Sequence, residues 1–490
     1  IWSDMSNDTN DPLISIEENI QLRDQHIAES CELHFNDNPM KIVRSKDQYL
    51  FDEMGNKYLD FVSRITNVGH CNSAVVEAAC EQMSQLSMAV GSEISRVQHK
   101  LTKLLLSTLP PSFEVVLYTN SGAEANDLAL QMIRNYTNRI DIMVVDGSFH
   151  GTGNLLVDIS PRAFRISSTG KKPWVHVISV PDTFRGLHSG DPDAGEKYFQ
   201  DAKKVIERAL LKNHEIAGFI CEPIMVVHGV LIPPSDWLNK IYSYIHELGG
   251  LVIADEIQCG MGRTGDNFWA FQGQNAVPDI ITVGKPLGNG HPIGAVITSR
   301  KIAATVKNAE QIYKCDPVGA AISMTVINVM QEQQLMENAR NLGSFLAEGF
   351  KKLQANLSMI GDVRQKGLIV GVDIIRSRGS KKPAPDVAEE ISNNLRRERI
   401  LVGCEGDYKN VLLFLPALCI TKEDCVDVIT TLEKIIKSVE LVYLDELYDI
   451  INAPDSPEEP STSLHVQPSE LENVEDPYTS SSMHPYDALD

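Results

Sequence analysis

A carboxylate and a lysine, thirty residues apart in the chain, each follow a strongly apolar run. Asp255, with Glu256 beside it, follows the run at 251–254, and Lys285 follows the run at 280–283 within a Gly-Lys-Pro sequence. A carboxylate at the end of a buried strand is costly unless a positive or hydrogen-bonding group meets it. A partly desolvated lysine has a lowered pKa and becomes a nucleophile that forms imines with carbonyl groups. A loop carboxylate and a solvated lysine are the simpler alternatives for each residue alone.

A third segment has the features of an anion-binding helix start. Ser121 follows the apolar run at 115–118 and forms a capping-box pattern with Glu124. The small residues Gly122 and Ala123 leave backbone N–H groups free at the positive end of a helix dipole, where a phosphate can bind. The apolar residues beyond them have the spacing of one helix face: Ala125, Leu128, Ala129, Met132 and Ile133. An ordinary N-cap is the simpler alternative here.

Taken together, the three segments supply what pyridoxal phosphate requires. A lysine forms an imine with it, a carboxylate keeps its pyridine nitrogen protonated so that the ring accepts electrons, and a helix start holds its phosphate. Phe149, which follows the apolar run at 142–145, could stack on the ring, and a core aromatic is the alternative. The residues therefore predict a pyridoxal phosphate site with Lys285 and Asp255 at its centre.

The spacing of the apolar runs indicates the scaffold that positions these residues. Such runs alternate with helical stretches over residues 74–300 and lie at 115–118, 142–145, 219–221, 251–254 and 280–283. Strands that are apolar on both faces and alternate with helices form a parallel α/β sheet. Ligands of such sheets bind beyond the carboxyl ends of the strands, which is where the three segments lie.

The composition is that of a folded globular protein without a nucleic-acid surface. Of the 490 residues, 43% are hydrophobic and 22% are charged, and the formal net charge is −22. Thirteen acidic residues follow Lys437 and five precede Arg23, so the rest of the chain carries only −4. A nearly neutral body lacks the basic stripe that binds nucleic acids or anionic membranes, and no run approaches the roughly 18 apolar residues of a spanning helix. We expect neither nucleic acid nor a membrane as a partner.

The cysteines and the two ends of the chain allow further expectations. Nine cysteines without paired spacing predict reduced thiols in an intracellular compartment, and the acidic start shows no targeting signal. Residues 421–451 have a helical pattern that closes the last domain. Beyond them, residues 453–490 are rich in Pro, Ser and acidic residues, which predicts a disordered tail.

The composition of the tail predicts that it is dispensable. A chain that ends at Asn452 should keep the melting temperature and the turnover of the full chain, because the helix at 421–451 completes the last core before the tail begins. Thermal unfolding and a turnover assay measure the two quantities. A large loss of either one would show that the tail docks on the folded body.

In combination, the motifs resemble those of the class-III pyridoxal phosphate aminotransferases. The matching segments are 120–126 (NSGAEAN), 149–151 (FHG), 255–258 (DEIQ), 284–286 (GKP) and 288–292 (GNGHP). The alanine-glyoxylate aminotransferase 2-like group, which includes ethanolamine-phosphate and phosphohydroxylysine phospho-lyases, further shares the segments 68–71 (VGHC), 181–186 (PDTFRG) and 360–364 (IGDVR). The resemblance extends from about residue 20 to about residue 439.

The resemblance implies a role for each residue of the site. Lys285 would form the imine with the cofactor and carry a substrate proton, and Asp255 would pair with the pyridinium nitrogen. Gln258 would donate to the ring hydroxyl, Phe149 would stack on the ring, and Glu222 would lie near it. The cofactor phosphate would be bound at the helix start formed by Ser121, Gly122 and Ala123.

The resemblance also implies an architecture and an assembly. The fold would be that of a type I PLP-dependent transferase, in which a large domain with a mostly parallel sheet accompanies a smaller α+β domain. Arg364 would pair with a substrate carboxylate, and the site would lie at the interface of a homodimer in the mitochondrial matrix or the cytoplasm. The predicted boundaries are 1–22 for an acidic extension, 23–73 and 306–452 for the small domain, 74–305 for the large domain and 453–490 for the tail.

Four departures from the family pattern affect the cofactor and substrate predictions. Residues 70–73 read HCNS instead of HCHP, 87–95 lack the usual aromatic and basic residues, and Gln365 replaces a glycine. The segment 311–318 also lacks the threonine that, in the family, reaches the partner subunit's cofactor phosphate. A hydrogen bond to a charged group contributes about 1.5–3 kcal/mol, so we expect cofactor binding to be roughly ten- to a hundredfold weaker unless Lys314 compensates.

Two enzyme activities and one non-catalytic role agree with this sequence. The first is an aminotransferase that moves an amino group from an amino acid to an oxo acid. Pro223 after Glu222 favours it, since the related phospho-lyases tend to have serine there. The alternative is a phospho-lyase that eliminates phosphate from a substrate such as ethanolamine phosphate or phosphohydroxylysine. A degenerate paralogue would explain the departures, although such a chain would not be expected to keep Lys285, Asp255 and Gln258 together.

Overall fold

The computed structural model describes residues 15–452 except 29, 32, 34, 36–38, 89–94, 169 and 308–315, and it excludes the side chains of 444–452. The predicted tail at 453–490 and residues 1–14 of the predicted extension lie outside the described residues. The larger parts of the segments 87–95 and 311–318, including Lys314, also lie outside them. The predictions about these segments therefore stay predictions.

Three sheets organise the described residues. The strands are β1 (Ile42–Lys46), β2 (Tyr49–Asp52), β3 (Lys57–Asp60), β4 (Val115–Thr119), β5 (Asp141–Val145), β6 (Val175–Ile178), β7 (Ile216–Cys221), β8 (Leu251–Asp255), β9 (Ile280–Val283), β10 (Gly294–Thr298), β11 (Ile360–Lys366), β12 (Ile369–Ile374), β13 (Ile400–Leu401), β14 (Gly403–Glu405) and β15 (Val411–Phe414). The central sheet has seven strands in the order β4-β10-β9-β8-β7-β5-β6. The other two have four strands each, in the orders β1-β2-β3-β13 and β11-β12-β15-β14.

The central sheet confirms the five predicted strands and adds two. The predicted runs are β4, β5, β7, β8 and β9, and all pairs from β9 to β6 are parallel. The added strands are β6, whose apolar run is interrupted by His176, and β10, which pairs antiparallel with both β4 and β9. An antiparallel neighbour needs only a short connection, and ten residues, 284–293, join β9 to β10. The sheet is therefore mostly, not entirely, parallel.

Helices cover both faces of the central sheet and build the rest of the fold. They are α1 (Ile16–His26), α2 (Ser73–Gln85), α3 (Arg96–Leu106), α4 (Gly122–Thr137), α5 (Asn154–Ile159), α6 (Pro161–Phe164), α7 (Ala194–Leu211), α8 (Trp237–Glu247), α9 (Arg300–Ala303), α10 (Pro317–Glu332), α11 (Leu335–Asn356), α12 (Pro385–Arg397) and α13 (Lys422–Asn452). Alternate residues of β5 and β7 face α4 on one side and α7 with α8 on the other. This two-sided burial explains why the strands are continuous apolar runs.

The fold class predicted from the resemblance is confirmed, while the domain boundaries stay a prediction. The last predicted helix is present as α13, and it packs with α11 and α12 against the sheet of β11, β12, β14 and β15.

The described cysteines are free thiols. Among the described helices, none combines the length and the apolarity needed to cross a membrane.

The predicted helix start at Ser121 is present, with one correction to its capping. Ser121 is the N-cap of α4, and its Oγ accepts a hydrogen bond from Glu124 N at 3.1 Å. The reciprocal bond of a capping box is absent in this described region, because Glu124 Oε2 accepts from Asn120 N at 2.8 Å instead of from Ser121. Glu124 thereby fixes the turn between β4 and α4, and the side-chain cap stabilises the helix by about 1 kcal/mol.

Candidate active site

A cavity of about 400 Å³ opens where β7, β8 and β9 end. Eight of the nine predicted site residues lie in its wall: Ser121, Gly122, Ala123, Phe149, Glu222, Asp255, Gln258 and Lys285. They come from four different strand ends and one helix start, so the parallel sheet brings together segments that lie up to about 160 residues apart in the chain. Arg364, the ninth, is held elsewhere by two aspartates.

Lys285 occupies a strained position in the cavity wall. It opens a 3₁₀ turn, Lys285–Leu287, directly after β9, and its φ of 30° is unfavourable for a residue with a side chain. Such strain costs about 1–3 kcal/mol and persists only where the surroundings impose it, as they often do at functional sites. Burial lowers the pKa of the Lys285 amine below its usual range, although the charges of Asp255 and Glu222 oppose this shift. The lowered pKa makes the neutral, nucleophilic amine more abundant.

A close contact of two backbones fixes the position of this turn. A side chain at Gly284 would place its Cβ 2.8 Å from Gly122 N, and one at Gly122 would place its Cβ 2.6 Å from Ile257 Cδ1. The first contact is with backbone, so only glycine at position 284 allows the turn after β9 to lie against the start of α4, whereas the second is with the end of the Ile257 side chain, which follows β8 and can move. This contact brings the predicted phosphate-binding N–H groups beside Lys285.

Asp255 is a buried carboxylate whose orientation is set by neighbours. Its Oδ2 accepts hydrogen bonds at 2.8 Å from Asn126 Nδ2 and at 2.8 Å from His150 Nδ1. Asn126 is held in turn by Thr282, whose Oγ1 donates to Asn126 Oδ1 at 2.6 Å. Buried polar groups that are fully hydrogen-bonded keep a single geometry, so the carboxylate is fixed at the cavity wall.

The sequence alone predicts no role for these supporting residues. Asn126 and His150 lie within the quoted motifs, but nothing in a sequence shows that they meet Asp255, 129 and 105 residues away. Thr282 offered a visible signal, because it is the one polar residue in the apolar run of β9. A buried hydroxyl in a strand needs a partner, and here the partner is Asn126.

Three polar atoms around the cavity are buried without a hydrogen-bond partner in the described part of the protein. They are Glu222 Oε2, Gln258 Oε1 and His150 Nε2. Among the described residues, the other oxygen of Glu222 accepts a hydrogen bond only from Phe149 N, at a long distance of 3.4 Å. Because more than about nine in ten buried polar groups are satisfied, unsatisfied atoms that converge on one cavity indicate a ligand site.

The start of α4 contributes backbone N–H groups to the wall of the same cavity. The first intrahelical hydrogen bond runs from Ala125 N to Ser121 O at 3.1 Å, and Ser121 Oγ accepts a hydrogen bond from Glu124 N. The N–H groups of Gly122 and Ala123 therefore precede the hydrogen-bonded part of the helix. A helix of 16 residues adds the positive end of its dipole at this point. The arrangement suits a phosphate group.

Two arginines outside the cavity wall differ in their pairing. Arg364 binds Asp362 at 3.1 Å, Asp373 at 3.0 Å and the carbonyl oxygen of Gly229 at 2.9 Å. Arg64, which the sequence reasoning did not select, pairs with Glu405 at 2.8 Å and keeps a buried Nε without a partner among the described residues. The charge of Arg64 lowers the pKa of Lys285, so this guanidinium lies within electrostatic range of the amine.

Comparison with known proteins identifies the family. A sequence model described as aminotransferase class-III matches residues 34–436. The chain belongs to the class-III aminotransferase family. Its members share the type I α/β fold, and the chain is 37% identical over 425 residues to an alanine–glyoxylate aminotransferase 2-like protein of Drosophila melanogaster, a match that covers 84% of this chain and 85% of that protein.

Two further relatives carry names of phospho-lyases and not of aminotransferases. An ethanolamine-phosphate phospho-lyase homolog 1 of Caenorhabditis elegans is 34% identical over 439 residues, which cover 86% of this chain and 94% of the homolog. The solved structure of a phospholyase from Arthrobacter in complex with phosphoethanolamine has a TM-score of 0.81 and 30% identity, and covers 86% of this chain and 99% of its own. The family is thus established, and the choice between amino transfer and phosphate elimination is not.

The cofactor of this class-III family member is pyridoxal 5′-phosphate, and the cavity fits it. The fit rests on the buried atoms of Glu222, Gln258 and His150 that have no partner among the described residues, and on the N–H groups of Gly122 and Ala123 in the first turn of α4. An amine of lowered pKa and an oriented carboxylate face the same space. These are the three kinds of group that the cofactor needs.

Glu222 makes the cofactor-free protein less stable as the pH rises. Burial raises the pKa of Glu222 to about 7, and the negative charge of Asp255 adds to the shift. The unfolded chain ionises this carboxyl near pH 4.5, whereas the folded chain keeps the proton to about pH 7. The folded state therefore binds more protons in this window, and the free energy of unfolding falls as the pH increases through it.

We predict that Glu222→Gln stabilises the cofactor-free protein more at pH 8 than at pH 5, because the amide cannot ionise. Melting temperatures of the variant and the unmodified chain at the two pH values measure the effect. Glu247→Gln, at an exposed position on α8, is the control and should show no such pH-dependent difference. An equal or smaller gain at pH 8 would mean that Glu222 is already ionised in the folded protein.

Proposed function

We propose that this chain is a pyridoxal phosphate-dependent aminotransferase that moves an amino group from an amino acid to an oxo acid. The observation that carries the proposal is the placement of Lys285, in a strained turn with a lowered amine pKa, in the same cavity wall as the fixed carboxylate of Asp255. Pro223 after Glu222 favours amino transfer over elimination.

Lys285 and Asp255 have the chemical roles in this reaction. Pyridoxal phosphate, when bound, supplies an electron-accepting ring to which a substrate amine can be joined. Lys285 Nζ holds the cofactor between turnovers and moves the substrate α-proton during one, as a general base and then a general acid. Asp255 holds a proton on the ring nitrogen, and Asn126 with His150 keeps the carboxylate in place.

The remaining predicted residues bind and orient. The N–H groups of Gly122 and Ala123, beside the cap of Ser121, bind the dianionic phosphate, and Gln258 binds the ring hydroxyl. Phe149 covers one ring face and keeps water away from it. Arg364 is the predicted partner of the substrate carboxylate, and it would have to release Asp362 or Asp373 to act so.

A phospho-lyase is the second candidate, and the two phospho-lyase-related matches support it. Removal of the same α-proton by Lys285 can be followed either by reprotonation elsewhere or by departure of a β-phosphate. The core residues serve both reactions equally. The choice therefore depends on the substrate and not on the residues that hold the cofactor.

Incubation of the cofactor-loaded chain without any oxo acid separates the two functions. An aminotransferase consumes a stoichiometric amount of its amino donor, stops, and resumes when an oxo acid such as glyoxylate is added. A phospho-lyase releases inorganic phosphate continuously from ethanolamine phosphate or phosphohydroxylysine. A screen of amino acids and these two phosphates, read by amino-donor loss and phosphate release, gives the answer. Continuous phosphate release without an oxo acid would overturn the aminotransferase proposal.

We further infer a homodimer with the site at its interface, located in the mitochondrial matrix or the cytoplasm. Large apolar side chains are exposed on α2 and just beyond it: Val76, Met83, Leu86 and Met88. Neighbouring apolar side chains that face water are typical of a surface that another subunit covers. Relatives named as mitochondrial, such as an Arabidopsis thaliana alanine–glyoxylate aminotransferase 2 homolog 2 with 37% identity over 79% of this chain, support the first of the two compartments.

A further inference from the structure

Three residues that can bind a metal ion converge at the amino ends of strands in the central sheet. The cofactor cavity lies at the carboxyl ends. Asp141 begins β5, His176 lies in β6, and His214 lies two residues before β7. These three strands are neighbours in the order β7-β5-β6. The amino ends of adjacent parallel strands therefore bring the three side chains together.

The side chains already face one another closely. His176 Nε2 lies 2.8 Å from Asp141 Oδ2, and His214 Nδ1 lies 2.6 Å from the same oxygen. All three possible ligand atoms lie within 4.8 Å of one another. Around a tetrahedral Zn²⁺, with bonds of about 2.0–2.2 Å, ligand atoms are roughly 3.3–3.5 Å apart, so shifts of about 1 Å would suffice.

We propose that Asp141, His176 and His214 form a binding site for a divalent transition-metal ion, with Zn²⁺ as the best-suited ion. Two imidazoles and one carboxylate are ligands that Zn²⁺ accepts, and a water molecule would complete the tetrahedron. Mg²⁺ prefers oxygen ligands in octahedral geometry and should not compete. The site is separate from the pyridoxal phosphate cavity and does not depend on the proposed function.

Burial and protonation support this arrangement. Asp141 and His176 expose 12% of their side chains each, while His214 exposes 33% and offers an entry path for the ion. A histidine binds a metal through the neutral ring nitrogen that faces the ion. Each facing N–H now donates to Asp141. When the ion binds, that proton moves to the other ring nitrogen, so a neutral histidine loses no proton.

The neighbouring cations oppose the ion and limit its affinity. Arg134 interacts electrostatically with Asp141, and Lys171 with His176. Arg134 is turned partly away from the cluster, because its guanidinium stacks over the Trp174 ring at 4.4 Å and its Nε donates to Ile140 O at 3.0 Å. A bound ion would join three strand ends, and its expected effect is therefore on stability and not on turnover.

Equilibrium dialysis of the full chain, loaded with pyridoxal phosphate, against micromolar Zn²⁺ tests the proposal, with bound metal measured by mass spectrometry. We expect His214→Ala and His176→Ala each to bind one Zn²⁺ fewer per chain than the unmodified protein. His246→Ala is the matched control and should keep full binding, since His246 pairs with Asp279 at 2.7 Å and no second histidine of the described residues pairs with that aspartate. Zn²⁺ should also raise the melting temperature of the control but not that of His214→Ala.

Equal Zn²⁺ content in His214→Ala and the unmodified chain would show that the metal binds elsewhere. Absence of Zn²⁺ from the unmodified chain would show that the three residues form only a hydrogen-bonded cluster. Melting in the absence of metal checks that each variant is folded, so a lost ion cannot be confused with a lost fold.

Discussion

Replacing Lys285 by alanine will lower turnover by at least about 10⁴-fold, because the covalent and the acid–base role of one amine are lost together. The variant should keep its fold, because alanine retains the Cβ and so leaves the backbone at φ 30° no more strained than before, while Asp255 keeps its hydrogen bonds from Asn126 and His150. Steady-state kinetics with the amino donor and the oxo acid identified by the screen measure the loss. The visible absorption of the bound cofactor should change at the same time, because the ring is no longer joined to the protein.

Lys366 provides the matched control for this prediction. It lies on the surface and pairs with Asp266 at 2.7 Å, away from the described cavity wall. Lys366→Ala should keep turnover within a few-fold of the unmodified chain. Turnover of Lys285→Ala within tenfold of the unmodified chain would remove Lys285 from the reaction.

Asp255→Asn will lower turnover by about 10²- to 10⁴-fold while the protein stays folded. A neutral amide cannot hold a proton on the ring nitrogen as an ion pair does. The substitution also places an amide where Asn126 Nδ2 and His150 Nδ1 now donate to a carboxylate oxygen, so the new side chain is held less firmly. The rate constant kcat and the cofactor dissociation constant should be measured separately, because the loss is expected mainly in kcat.

The neighbouring carboxyl group is the control for Asp255. Glu256 is equally buried but does not line the cavity. Its two oxygens accept hydrogen bonds at 2.8 Å from Ala270 N and Phe271 N, so it holds the backbone of that segment. Glu256→Gln should lower the melting temperature and leave kcat within tenfold. If both variants lost turnover alike, the effect at Asp255 would be one of folding and not of chemistry.

Much of the central fold is readable from the sequence because the strands are apolar on both faces. The runs of β5, β7, β8 and β9 stand out for that reason. β6 does not, because His176 interrupts it. The direction of β10 depends on how tightly the ten preceding residues turn, which no apolar pattern records.

The candidate site, like the fold, can be predicted only in part from the sequence. Residue type and position after a strand single out Lys285 and Asp255, whereas the support of Asp255 by Asn126 and His150 depends on contacts across more than a hundred residues. The raised pKa of Glu222 and the left-handed backbone of Lys285 come from burial and packing, so they have no sequence signature. The pairing of Arg364 with two aspartates is likewise a tertiary feature.

Borohydride reduction of the cofactor-loaded chain, followed by peptide mapping, tests most directly that Lys285 holds pyridoxal phosphate. Reduction turns the bond between the cofactor and its lysine into a stable one, so the labelled peptide reports the residue. We predict a pyridoxyl label on Lys285 and on no other lysine. A label on another lysine, or no label after loading at saturating cofactor, would contradict the assignment.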